Sequence, residues 1–187
     1  MTTVAFDRCL AILLGWEGGY SCEREDPGNW TGHAVGAGEL RGTKFGISAA
    51  AYPTVDIVNL TPDGAAAIYR RDYWDPIRAD ELPAQVVLLV FDAAVNNGVR
   101  RATEWLQAAA GVAVDGKLGK DTMAAVHAKD AAVLAREFVA RRLAFMGSLP
   151  TWRTYGLGWA RRLTGLTWQI AQIEAGVTWE AAQVTHN

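Results

Sequence analysis

The stretch PAQVVLLVFDAAVNNG, residues 83–98, decides the fold. From Val86 to Val95 it is apolar almost all round, and it closes at Gly98, a residue that ends helices at little cost. A helix apolar on every side must be buried, so Pro83 to Asn97 is predicted as the central helix of a mainly α protein. The run falls short of the ~20 apolar residues a membrane span requires, and Asp92 interrupts it. Asp92 and Asn96 stand at i and i+4 and share one face. Buried polar groups need partners, so that face either satisfies other backbone groups in the core or lines the cleft.

Working toward the N-terminus, Thr61-Pro62-Asp63 reads as an N-cap followed by proline at the first helical position, opening a helix to about Trp74. Residues 20–48 are punctuated by Gly28, Gly32, Gly36, Gly38 and Gly42, and Asp26-Pro27-Gly28-Asn29 is turn chemistry. This stretch is expected to be loop with a small β lobe, its hairpin formed by Val35 and Leu40 around Gly36-Ala37-Gly38. Before it, Phe6, Leu10 and Leu13 mark one face of a helix over about 4–16, ended by Gly18-Gly19. Extending that stripe by four residues lands on Glu17. A carboxylic acid set against apolar neighbours keeps its proton toward neutrality, which suits a general acid. Asp26, nine residues on in a polar turn, would stay ionised. The alternatives are a helix-end glutamate reaching water or an arginine, and a turn aspartate.

Toward the C-terminus, helices are expected at about 101–110, 121–128, 131–147 and 159–175. Asp115-Gly116 reads as a turn, and Asp121 or Thr122 as the N-cap of the helix that follows. Trp159, Leu163, Leu166 and Ile170 line one face of the last helix, which is either core or a membrane-seeking stripe beside Arg153, Arg161 and Arg162. Most of the eight tryptophans should be core. Trp30, in the loop beside Asp26, either stacks on a sugar or packs beneath the loop.

The 187-residue chain is long enough to bury roughly 70% of its unfolded surface without a metal or disulfide. Its formal net charge of −2 gives no global field for nucleic acid. Cys9 and Cys22 make no disulfide framework, and His33, His127 and His186 are scattered without metal-ligand spacing. No metal or cofactor is expected. Leu10 to Trp16 lacks the basic, acid-free flank and cleavage site of a signal peptide, so cytoplasmic synthesis without a classical export signal is expected.

Glu17-Gly18-Gly19-Tyr20 resembles the signature of the glycoside hydrolase 108 lysozymes, found in phage endolysins and bacterial proteins once called secretion activators. The resemblance continues through Asp26-Pro27-Gly28, Thr43-Lys44-Phe45-Gly46-Ile47-Ser48, Ile68-Tyr69-Arg70-Arg71-Asp72-Tyr73-Trp74 and Phe91-Asp92-Ala93-Ala94-Val95-Asn96-Asn97-Gly98. Trp105-Leu106-Gln107 and Asp115-Gly116-x-x-Gly119-x-x-Thr122 look like the peptidoglycan-binding region that accompanies that domain, and Gly158-Trp159-Ala160-Arg161-Arg162 fits too. In all it spans about residues 5–165.

The resemblance implies a lysozyme-like catalytic domain over 1–98, with a β-hairpin lobe, and a helical peptidoglycan-binding region over 99–187. It implies Glu17 as general acid, with Asp26 and Thr43 positioning water. Residues 30–42 are an insertion relative to the short family pattern, so Thr31 competes for the third role, although the Gly-Ile-Ser context favours Thr43. Tyr20, Trp30, Tyr73, Asp92, Asn96, Asn97, Asp115 and Thr122, in or beside these motifs, are the candidate substrate-binding residues. The implied substrate is the β-1,4 bond between N-acetylmuramic acid and N-acetylglucosamine. The expected enzyme is a monomer without stable membrane insertion, acting in the cell wall after release through a holin-type pore. A non-catalytic peptidoglycan binder is the competing expectation.

Overall fold

The computed structural model describes residues 3–15 and 19–174. It is mainly α with one small antiparallel sheet, as the sequence predicts. The chain divides into two compact units, Met1–Asp72 and Tyr73–Asn187.

In the first unit, α1 spans Thr3–Leu14. Its expected stripe is buried: Phe6, Cys9, Leu10 and Leu13 face inward, joined by Ile12. Burial pushes the Cys9 thiol up to about 12, so it behaves as a small apolar group. Both cysteines are free. The helix ends at Leu14, short of the expected residue 16, and Trp16, Glu17 and Gly18, the first of the two expected capping glycines, lie outside the described residues.

The expected hairpin around Gly36-Ala37-Gly38 is not where the strands form. They are β1 (Thr43–Lys44) and β2 (Ile47–Ser48), paired Thr43 to Ser48 and Lys44 to Ile47. The two connecting residues, Phe45 and Gly46, both have positive φ, 51° and 72°. That is the turn whose twist matches an antiparallel pair, and Gly46 supplies half of it without strain. In 31–39, by contrast, His33, Gly36 and Gly38 all turn left-handed. The backbone there curls into a loop pinned at its base by a bridge between Trp30 and Leu40 and by Thr31 Oγ1 accepting the Glu39 N–H at 2.9 Å.

Helix α2 (Pro62–Tyr69) opens as expected, with the Thr61 side chain accepting the Gly64 N–H at 3.1 Å. It does not run to Trp74 as a regular helix, because Arg70–Trp74 widens into a π turn. Tyr69, buried at the end of α2, donates its hydroxyl to Phe45 O at 2.9 Å, tying the helix to the β turn.

The second unit is built on α3 (Ala84–Asn97), buried continuously from Val86 to Ala94. Gly98 turns the chain sharply at φ 88°, so α4 (Val99–Ala110) starts two residues before expectation and packs back on α3. Helices α5 (Lys120–Ala128) and α6 (Ala131–Ser148) match their expected limits closely. Helix α7 runs Trp152–Glu174, beginning well before residue 159. Gly156 is a spacer within it: a Cβ there would lie 2.7 Å from the Trp152 ring, so its absence lets the indole lie on the helix. Leu163, Leu166 and Ile170 are buried, and α7 packs on α3 and α6, so that stripe is core and not a membrane face. Among the described residues no helix is long and apolar enough to cross a membrane.

Candidate active site

Three turns of the first unit converge on one amide. Asp26 caps the short 3₁₀ turn Pro27–Asn29, its Oδ1 accepting the Gly28 N–H at 2.8 Å. Asn29, at the end of that turn, has no exposed surface. Its Nδ2 donates to Glu23 O at 3.0 Å, and its Oδ1 accepts the Thr43 hydroxyl at 2.8 Å. Thr43 in turn pairs with Ser21 by both backbone bonds, at 2.8 Å each. The neighbouring Gly42 is required here: its φ is 83°, and a Cβ would meet Ser21 O at 2.5 Å.

The direction of these bonds follows from donor arithmetic. A backbone carbonyl only accepts, so the NH₂ end of Asn29 faces Glu23 and its oxygen faces Thr43. The Thr43 hydroxyl must therefore spend its proton on Asn29. Its oxygen is left as an acceptor, the property needed to receive one O–H of a water molecule. Asp26 is exposed, and its Oδ2 has no partner among the described residues, so it is a second acceptor on the same turn system. Thr31 is occupied in closing the 31–39 loop. Sequence reasoning took Asn29 for a plain turn residue; a polar side chain wedged directly before Trp30 was the available signal.

Trp30 is buried, its indole N–H donates to Arg24 O at 2.8 Å, and the Arg24 guanidinium lies 5.7 Å over its ring. It packs beneath the loop and offers no open face for a sugar. Tyr20 is exposed, with its hydroxyl 3.4 Å from Arg41 O. Glu17, the expected acid, lies outside the described residues.

The remaining candidates belong to the second unit. Tyr73 is half-buried in the π turn. Asp92 has no exposed surface, and its two oxygens accept from Arg142 Nη1 and Arg162 Nε at 2.7 Å each. The partners of Asp92 are thus arginine side chains and not the backbone groups expected of that face. Burial pushes Arg142 below the ordinary guanidinium range, while Asp92 pulls the other way. Asn96 Nδ2 donates to Asp92 O at 2.8 Å, and Asn97 Oδ1 accepts from Arg142 Nε at 2.9 Å. Arg142 was missed in the sequence, although Leu134, Phe138, Arg142 and Met146 stand at four-residue intervals and are all buried.

The Asp115–Thr122 motif is tied to α4. Neither Asp121 nor Thr122 caps α5; Gly119 does, with no side-chain bond. Gln107, buried on α4, holds the loop that precedes α5. Its Oε1 accepts the N–H groups of Asp115 and Gly116 at 3.1 and 2.8 Å, and its Nε2 donates to Asp115 Oδ1 at 2.7 Å and Lys117 O at 2.9 Å. Thr122 is buried with its Oγ1 at 3.3 Å from the same Nε2. Gln107 and then the Lys117 N–H hold Asp115 below its ordinary carboxylate value. We expect Gln107→Leu to strand several of these groups and to cost ~1–3 kcal/mol. Loss of hydrogen-exchange protection at the Asp115 and Gly116 amides, with α1 unaffected, would check it.

Among the described residues no group of three or more His, Cys, Asp or Glu side chains could hold a metal ion. Residues 10–98 match the family model for glycosyl hydrolase 108, and residues 101–164 match a model described as a predicted peptidoglycan domain. The first match ends with α3, although α3 packs with the helices that follow it. No curated protein matches the chain. Among solved structures it is similar to SagA of Brucella abortus, at 31% identity over 90% of this chain and 94% of that one, with a TM-score of 0.75. Two adjoining family matches and a relative aligned over nearly its whole length lead to one conclusion: the chain belongs to the glycosyl hydrolase 108 family and is a peptidoglycan hydrolase.

Proposed function

We propose that the chain is a muramidase that cuts the β-1,4 bond between N-acetylmuramic acid and N-acetylglucosamine with inversion at the anomeric carbon. Glu17, named by the signature it shares with the family, protonates the leaving glycosidic oxygen. Asp26 accepts a proton from water on the opposite face of the sugar, and Thr43 holds that water. Residues 1–98 carry the catalysis and 99–187 retain the polymer.

The observation that carries this reading is the Asn29–Thr43 bond. It turns the threonine oxygen into an acceptor and fixes it to the turn system that bears Asp26. Two acceptors suit a water whose proton must leave as it attacks; a nucleophilic carboxylate would have no use for the second.

Two measurements test it. Mass spectrometry of digested sacculi should find reducing muramic acid ends; anhydro ends would mean a lytic transglycosylase, and intact glycan a binder. Proton NMR of the first-formed product should show the α-anomer. An initial β-anomer would make Asp26, or another group, a nucleophile.

A further inference from the structure

The second unit holds a cavity of about 520 Å³ whose walls include Asn96, Asn97, Arg101, Arg142, Trp159 and Arg162. Three guanidiniums reach it from three helices, Arg101 from α4, Arg142 from α6 and Arg162 from α7. Among the described residues Asp92 pairs with two of them, Arg142 and Arg162.

We propose that this cavity is a second binding site, which takes a free carboxylate of the peptide stem of peptidoglycan. The inference rests on the peptidoglycan reading for the source of the ligand, but the chemistry is that of the cavity. Arg101 is exposed and stacks its guanidinium 4.4 Å over the Phe145 ring. Stacking fixes the plane of the group and leaves its edge of N–H donors for a planar acceptor, the geometry that matches a carboxylate. Arg142 holds Asn97 by its oxygen, so the amide's remaining donors, on Nδ2, are the part a ligand can use. Trp159 and Phe145 add apolar wall, which suits a short peptide better than a bare anion.

The test is calorimetric titration of the full chain with a synthetic stem tetrapeptide, and with the same peptide amidated at its carboxylates. The free peptide should bind. Amidation, or Arg101→Glu with an unchanged melting curve, should weaken binding by ~10-fold or more, the worth of one charge-assisted contact. Arg101 is exposed, so its replacement leaves the core intact. Equal affinity for the two peptides, or for wild type and R101E, would overturn the site. So would a wild-type protein that digests sacculi yet binds no stem peptide, a result that leaves the muramidase reading standing. Carboxylate-dependent binding by a protein that cuts no glycan would support the site while the muramidase reading falls.

Discussion

Glu17→Gln is expected to fold with an unchanged melting temperature and to lose ~10²–10⁴-fold of its activity on purified sacculi, the range that one general acid contributes. Phe6, Leu10 and Leu13 form the buried stripe of α1. In the sequence Glu17 stands four residues after Leu13, immediately before two glycines and Tyr20. The substitution keeps the size and polarity of the side chain and removes only the transferable proton. A glycosidic oxygen is a poor leaving group until it is protonated, so no other member of the site can compensate. Asp26 and Thr43 are both acceptors in the arrangement above and have no proton to give. Dye release from labelled cell walls, beside a melting curve, checks the result. Activity within threefold of wild type would remove Glu17 from the mechanism and with it the reading of Asp26 and Thr43 as its partners. Substitution of Asp26 does not provide the same discrimination, because that residue also caps the Pro27–Asn29 turn.

How far the sequence disclosed this arrangement depended on whether the cause was local. The α3 run announces its own burial, and Thr61-Pro62 announces the start of α2, because periodicity and capping are properties of neighbours in the chain. The hairpin went astray because glycine spacing drew attention to 35–40. The decisive feature was two consecutive left-handed residues at 45–46, one of them a phenylalanine that no turn rule favours. The start of α7 seven residues before expectation has a similar cause, since Gly156 serves a ring one turn away and not the helix end that glycine usually marks. The polar partners were the least legible. Asn29 serves Thr43, and Gln107 serves Asp115, across stretches of chain whose pairing only the fold supplies. Arg142 is the instructive intermediate case. An arginine at a core position of a helical stripe demands a buried acid, and Asp92, alone in the apolar run of α3, is the acid that the same logic leaves over.

That pairing carries the second large effect. Asp92→Asn is expected to cost ~3–5 kcal/mol of stability, because removing one member of a buried ion cluster leaves the others charged without compensation. At about 2–4 °C per kcal/mol for a chain of this size, the melting temperature should fall by roughly 6–20 °C. Arg142 is the residue that suffers. It is 1% exposed, burial already pushes its pKa down, and Asp92 is the group that holds the cation in place. Arg162, at 15% side-chain exposure, lies nearer to water. Replacing Asp92 by leucine together with Arg142 by methionine should therefore recover most of the loss, since well-packed apolar groups often substitute for a buried pair at little cost. Arg162 loses the Asp92 acceptor in that variant, which sets the shortfall. Chemical denaturation of the single and double variants measures both numbers. A cost below ~1 kcal/mol for Asp92→Asn would mean that water already reaches the cluster, for that is the range of exposed pairs. The same variants separate the two roles open to Asp92 in the sequence. A substrate contact would move glycan cleavage at a temperature where the variant is still folded. A structural anion, whose oxygens are both spent on arginines, moves only the temperature at which cleavage stops.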